Sequence, residues 1–249
     1  MERSGELRAT WLGRVPYLDG WRLQEAVATR VRSGGPSRLL LLEHDPVYTI
    51  GRRGTTANLL AAPAELRAHG ASVYRVDRGG DITFHGPGQL VGYPIVGLGE
   101  APDLVGYVRA LEGAIIEALA SYGIAGRRIE HKTGVWVDLR DGRAGKICAI
   151  GVRVSRGVST HGFALNVSTD LAAFTRMLPC GFAHEAASFE RLGLRADLRE
   201  AGERVAATLA RRLGLELRTE DGVDPARDDE VPADAPVRSA EDLLATAAA

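Results

Sequence analysis

The sequence holds two cysteines in 249 residues, Cys148 and Cys180, too few to build a disulfide framework. No apolar run approaches the roughly 20 residues of a membrane span, and the opening Met-Glu-Arg-Ser-Gly-Glu lacks the apolar core of a secretion signal. Those absences point to a reducing, cytoplasmic compartment and no membrane partner. No pair of histidines has zinc-ligand spacing and the cysteines do not cluster, so no metal is expected. Gly142-Arg-Ala-Gly-Lys146 superficially resembles a phosphate loop. It lacks the first-glycine spacing and the Ser or Thr after the lysine, which excludes a Walker A site.

Net charge is small, at −1, but unevenly spread. From Glu220 to the end, nine acids and two arginines give −7, so the body, residues 1–219, carries −1 − (−7) = +6. A mildly basic body suits an acidic protein partner and falls short of a nucleic-acid footprint. The stretch Asp224-Pro-Ala-Arg-Asp-Asp-Glu-Val-Pro has too little apolar content to pack. The reading is therefore one catalytic domain over 1–219 and an acidic, disordered tail over 220–249.

Within the body, apolar positions 23, 26, 27 and 31 mark a helix over Leu18–Val31, and Arg38–Glu43, with four leucines, reads as a strand buried on both faces. A short strand follows Pro46, a short helix opens at Pro63, and Ser72–Val76 is a strand. Pro102 stands at the start of a helix over Asp103–Tyr122, with positions 104, 108, 111, 115 and 119 inward and Gly123 as its stop. Gly134–Leu139, Lys146–Val154 and Val158–Val167 form a meander, followed by helices over Asp170–Arg176 and Asp197–Leu213. Clustered strands between helices, without strict strand–helix alternation, predict an α+β fold: a mixed, largely antiparallel sheet flanked by helices.

The chain is organised around Arg78–Ile95, where five glycines and two prolines oppose a regular helix and, through most of the run, a central strand. It carries only two acids or bases besides His85, so it does not read as a solvated linker. Glycines 79, 80, 86 and 88 allow close approach of a ligand, and Arg78, Thr83, His85 and Gln89 supply donors around it. A binding loop accounts for this packing of polar side chains better than a plain turn does.

Three further positions stand out. By period-two alternation Lys146 shares a face with Cys148, Ile150, Val152 and Val154. Two readings stand: a desolvated lysine at the mouth of a buried face, or a strand-end lysine snorkelling to solvent. Cys148 fits an inert core cysteine. Cys180 does not, because Pro179 fixes its approach and Gly181 leaves one side of the thiol open. His161 opens the inward face of its strand, where a lone histidine is ordinarily a hydrogen-bonded core residue.

In order, the motifs Glu43-His-Asp-Pro-Val-Tyr-Thr-Ile-Gly-Arg-Arg, Arg78 to Pro94, Gly145-Lys-Ile-Cys-Ala-Ile-Gly, His161-Gly-Phe-Ala-Leu-Asn-Val and Pro179-Cys-Gly resemble the lipoyl(octanoyl) transferases over roughly residues 5 to 217. Asp45, Phe84 and Cys148 depart from the usual pattern. The resemblance implies a biotin/lipoate protein ligase-like fold and transfer of octanoyl from acyl carrier protein to a lysine of lipoyl domains. The acceptors it implies are the 2-oxoacid dehydrogenase complexes and the glycine cleavage H protein.

By the same resemblance Cys180 is the nucleophile that carries the acyl thioester, and Lys146 lowers its pKa and exchanges the proton. Arg78, Gly79, Gly80, Asp81, Ile82, Thr83, Phe84 and His85, with Ala149, Ile150, Gly151, Gly162, Phe163 and Ala164, line the substrate path, and His161 is a possible support. Neither metal nor nucleotide cofactor is implied, because a thioester is already activated. An ATP-dependent lipoate–protein ligase of the same fold, or a non-catalytic binder of lipoyl domains or acyl carriers, would need no such Cys and Lys pair.

Overall fold

The computed structural model describes residues 5–178 and 185–220. Its elements are β1 (Gly5–Arg14), α1 (Tyr17–Arg32), β2 (Ser37–Glu43), β3 (Val47–Ile50), α2 (Pro63–Ala68), β4 (Ser72–Arg75), β5 (Ile82–His85), β6 (Gln89–Ile95), α3 (Leu104–Ala120), β7 (Arg127–Ile129), β8 (Lys132–Asp138), β9 (Ala144–Ser155), β10 (Val158–Asn166), β11 (Glu185–Ala186), α4 (Leu198–Leu213) and β12 (Leu215–Glu220). The expected α+β class holds. Among the described residues one large sheet runs β12-β1-β2-β6-β10-β9-β8-β7, with β11 added beside β9, and a small sheet runs β4-β3-β5. In the large sheet β1 is parallel to β2 and β12 and β11 is parallel to β9. Its other pairings are antiparallel.

The four leucines of β2 show how the sheet separates two cores. Leu39 and Leu41 join the main core under α3 and α4, whereas Leu40 and Leu42 join the cluster under α1 with Val27, Val91, Tyr93 and Ile95. All four are at most 2% exposed, and truncating any one to alanine would cost about 2–5 kcal/mol. The helices begin and end where local chemistry dictates. Asp103 and Asp197 accept the amide protons of Gly106 and Glu200 at the starts of α3 and α4, and Gly214 closes α4 in the left-handed region, at φ +67°.

Several expectations need correction. Leu104, assigned to the inward stripe of α3, is exposed, and Tyr107, Ala114 and Ala118 fill that face instead. The 170–176 helix is a single 3₁₀ segment, Leu171–Arg176, capped by Asp170. Strand β5 lies inside the glycine-rich run, which composition had argued against. It occupies the longest glycine-free stretch there and pairs with β3. Glu220, placed in the tail by charge alone, ends β12 opposite Thr10. Its carboxylate bonds Arg38 at 2.8 Å and Arg8 at 3.2 Å. The rest of the proposed tail, 221–249, lies outside the described residues.

Arg38 is 9% exposed, so losing its carboxylate leaves a largely desolvated cation with poorer solvation. Glu220→Gln should lower unfolding stability by about 1–3 kcal/mol in urea titration. A change below about 0.3 kcal/mol would show that the β12 end contributes no electrostatic stabilisation.

Candidate active site

Two local departures from regular strand geometry shape the candidate site. On β9, Val135 pairs with Cys148 while its neighbour Trp136 pairs with Lys146, so Ile147 is an extra residue in the ladder. Ile147 and Cys148 then both enter the main core, each 0% exposed. Lys146 is turned to the opposite face. The expected sharing of one face by Lys146 and Cys148 is thus overturned by the bulge, which a period-two count cannot register. Lys146 is half-buried there, its Nζ 4.7 Å from the centroid of the Trp136 ring. Its carbonyl accepts the amide proton of Ala187, and Ala186 pairs with it in β11.

The second departure is His161, at φ +58° on β10. Phe163, Leu165 and Val167 follow the expected inward alternation into the main core. His161 does not. Its ring lies beside Trp21 of α1, and Nε2 is 2.7 Å from Asp77 Oδ1, on the side away from that core. Its own amide donates to Gln24 Oε1 at 2.7 Å. Burial lowers the His161 pKa despite that carboxylate, and Asp77, although burial opposes it, is held below its usual range by His161 and Arg153.

Alternation now divides the sequence-derived candidates. On β9 and β10, Ala149 pairs with Ala164 and Gly151 with Gly162, on the face of Lys146, whereas Ile150 and Phe163 belong to the core side. The Arg78–Gly80 backbone lies over this row of small residues. Gly79 donates its amide proton to Val152 O at 3.0 Å, and a Cβ at position 151 would stand 2.9 Å from Gly79 O. In β5, Ile82 and Phe84 fill a separate hydrophobic cluster with Tyr48 and Ile50. Thr83 and His85 share the other face with Thr49 and Val47.

The donors expected to surround a ligand are largely engaged within the protein. The buried guanidinium of Arg78 donates to Thr49 O at 2.7 Å, to Thr49 Oγ1 at 2.9 Å and to Gly79 O at 3.0 Å, clamping the loop to β3. Asp81 accepts from the Ile82 amide at 2.7 Å and from Asn58 Nδ2 at 2.6 Å. His85 Nδ1 donates to Gln89 Oε1 at 2.8 Å, Gln89 Nε2 donates to Asn166 Oδ1 at 2.9 Å, and Asn166 Nδ2 donates to Ala187 O at 3.0 Å. A continuous chain therefore links the glycine-rich loop to the residue after β11. Cys180 and its Pro179 and Gly181 neighbours lie outside the described residues. The chain on either side is held, by the Leu178 amide on Asn58 O at 2.8 Å and by Ala187 on Lys146.

Sequence reasoning missed the rings that enclose this face. Tyr17 stacks on His85 and on Tyr74, with interplanar angles of 11° and 13°, and lies edge-on to His44. Tyr17 and Trp21, four apart on α1, were the available signal. Glu112 was also missed. It is fully buried on α3, binds Arg109 and Arg128, and accepts the Gly134 amide proton at 3.1 Å, fixing β8 beside Lys146. Cys148 is sealed in the core, where burial pushes its thiol far above the ordinary range.

His44 and His85 are both held neutral. Burial lowers His44 to about 4 and His85 to about 3, and the Arg78 guanidinium lowers His85 further. An unfolded histidine titrates near 6.5, so the unfolded chain takes up these protons first as pH falls. Stability is complete above about pH 6.5 and should fall by about 2 kcal/mol per histidine by pH 5. Urea unfolding from pH 7.5 to 5 should show that decline, and a flat profile would contradict burial of the neutral rings.

A family model described as the lipoyl protein ligase A/B catalytic domain matches residues 16–210. An octanoyltransferase of Solibacter usitatus is 49% identical over 208 residues, covering 83% of this chain and 92% of the relative. One of Mycolicibacterium gilvum is 44% identical over 234 residues, covering 90% and 95%. Among solved structures, the bipartite lipoate protein ligase of Thermoplasma acidophilum superposes with a TM-score of 0.71 at 16% identity over 90% of each chain. A lipoate–protein ligase A bound with ATP gives 0.69 at 16%, covering 90% of this chain and 92% of the other. At that identity the two ligases establish a common fold and nothing further.

Proposed function

The chain belongs to the lipoyl protein ligase A/B catalytic-domain family, and we propose that it transfers an octanoyl group from octanoyl-acyl carrier protein to a lysine of lipoyl domains through a thioester on Cys180. The observation that carries the reading is Lys146, turned out of the core by the β9 bulge onto the strand face that carries Ala149 and Gly151. The names of the relatives favour a transferase. They are octanoyltransferases at 44–49% identity over most of the chain, whereas the ligases share only its fold at 16%.

Of the chain's two thiols, Cys148 is buried and held protonated, which leaves Cys180 for attack. In the first half-reaction the Cys180 thiolate attacks the carrier thioester carbonyl. A new carbon–sulfur bond forms, the bond to the carrier's sulfur breaks, and that sulfur leaves as a thiol after taking a proton. Lys146 as a cation favours the thiolate and supplies that proton. In the second half-reaction the acceptor amine attacks the Cys180 thioester, an amide forms and the cysteine thiolate leaves. Neutral Lys146 takes the acceptor's proton and is ready again. The acyl path is assigned to the loop and strand motifs, and the small residues 149, 151, 162 and 164 let the loop and strand backbones pack closely there. The acceptors are lipoyl domains of 2-oxoacid dehydrogenase complexes and the glycine cleavage H protein, in the cytoplasm, and no cofactor takes part.

Intact-mass measurement after incubation with octanoyl-acyl carrier protein, without ATP, should show one octanoyl adduct. Cys180→Ser should remove the adduct and reduce transfer at least 10³-fold, on the order of a lost covalent nucleophile. Cys148→Ala should retain both the adduct and transfer. Lys146→Arg, a cation unable to release its proton near neutral pH, should preserve thiolate formation while slowing both half-reactions, transfer to the acceptor by about 10²-fold or more. Equal loss from both cysteine variants, or an absolute requirement for ATP, would overturn the assignment.

A further inference from the structure

Arginine supplies 29 of the 31 basic side chains, and the only two lysines, Lys132 and Lys146, both place Nζ near one ring. The Trp136 centroid is 4.7 Å from Lys146 Nζ and 5.5 Å from Lys132 Nζ. That ring is held firmly. It is 2% exposed, and its Nε1 donates to Lys132 O at 3.3 Å. The ladder sets Trp136 directly opposite Lys146, on the face to which the bulge turns the lysine. Gly134, two residues before Trp136, stands beside the lysine stem: a Cβ there would lie at contact distance, 3.6 Å, from Lys146 Cε, and would collide with Cys148 O at 2.5 Å. Its φ of +116° and the hydrogen bond from its amide to buried Glu112 fix the β8 backbone beside the lysine.

We propose that Trp136 is the positioning residue for Lys146, its indole face fixing where the ammonium stands, with Lys132 competing as a second cation for the same ring. The inference rests on the proton-transfer role given to Lys146 above. A flexible four-carbon stem samples many rotamers, and each one away from the reacting atoms lowers the fraction of productive encounters. An ammonium within about 6 Å of an indole centroid is attracted by its negative face. A plain apolar surface would also pack the stem, but it would leave the charged end unheld.

The test uses full-length protein carrying [¹³Cε]lysine, which gives only two lysine signals, assigned with Lys132→Arg. In the wild type the Lys146 Hε protons should be displaced upfield by the indole ring current. Trp136→Phe, which keeps an aromatic face, should retain part of that displacement and transfer within about threefold. Trp136→Leu, apolar without a π face, should abolish the displacement and lower kcat for transfer about three- to thirty-fold, with the acceptor KM within twofold. Lys132→Met should leave transfer at or above the wild-type rate. Lys146 Hε protons at random-coil positions in the wild type would overturn the proposal even if Trp136→Leu failed to fold. Equal rates in Trp136→Phe and Trp136→Leu would overturn it too. An intact ring-current shift with full transfer by Lys146→Met would instead refute the proton-transfer role and, with it, the purpose of the positioning.

Discussion

The bulge at Ile147–Cys148 is the constraint on which the site depends. A regular β9 would carry Lys146 on the same side as Cys148, toward the core under α3 and α4, where Leu165 and Val135 pack. An unpaired ammonium there would meet a desolvation penalty of several kcal/mol and would respond by losing its proton permanently. One inserted residue avoids this. The strand keeps two consecutive apolar side chains in the core while its lysine turns to the opposite face. The pairing of Ala186 with Lys146 and the Ala187 amide on Lys146 O then hold the lysine's backbone from the free side of the strand. The position of the lysine thus follows from one irregularity in the ladder.

The neighbouring strand uses a different device to the same end. His161 pairs with Val152 in the β9–β10 ladder, yet its positive φ directs the ring to Asp77 and Trp21 instead of toward Phe163 and Leu165. A non-glycine residue in that region costs on the order of 1–3 kcal/mol, and here two buried hydrogen bonds, at the amide and at Nε2, offset it. Two adjacent strands therefore depart from the regular pleat at the edge of the row formed by Ala149, Gly151, Gly162 and Ala164. Regular strands build the core, and the irregular positions face the site.

The same division explains what could be read from the sequence. Helices α1, α3 and α4 were legible from apolar positions repeating at about 3.6 residues, β2 from its unbroken run of leucines, and β8, β9 and β10 from strand-like segments separated by turns. Strand β5 was hidden because it is four residues long between glycines. Strand β12, Leu-Glu-Leu-Arg-Thr-Glu, was hidden because its alternation is broken by Thr219 and its polar side chains are held by cross-strand ion pairs. The motif residues themselves were found, but not the direction in which each points. Ile82, Phe84, Ile150 and Phe163 sit within the motifs and build the walls behind the site, whereas Tyr17 and Tyr74 come from outside them and meet His44 and His85 only after folding, as Trp136 meets Lys146. Neither bulge nor φ reversal has a residue signature at Ile147 or His161, so a pattern of constant period assigns those faces wrongly.

Charge economy around the loop completes the argument. His44 and His85 are kept neutral beside the buried Arg78 guanidinium, and Asp77 is paired with Arg153 and hydrogen-bonded to His161. Arg78 is committed to the Thr49 and Gly79 oxygens and, as a guanidinium, cannot change its charge near neutral pH. The histidines with pKa values near 3 and 4 cannot serve as proton carriers at pH 7 either, since almost none is charged there. Lys146 differs from these groups in kind, because an ammonium can release its proton where a guanidinium cannot. In a chain that uses arginine for 29 of its 31 basic positions, the lysine at 146 places that chemistry on the β9 face of Ala149 and Gly151.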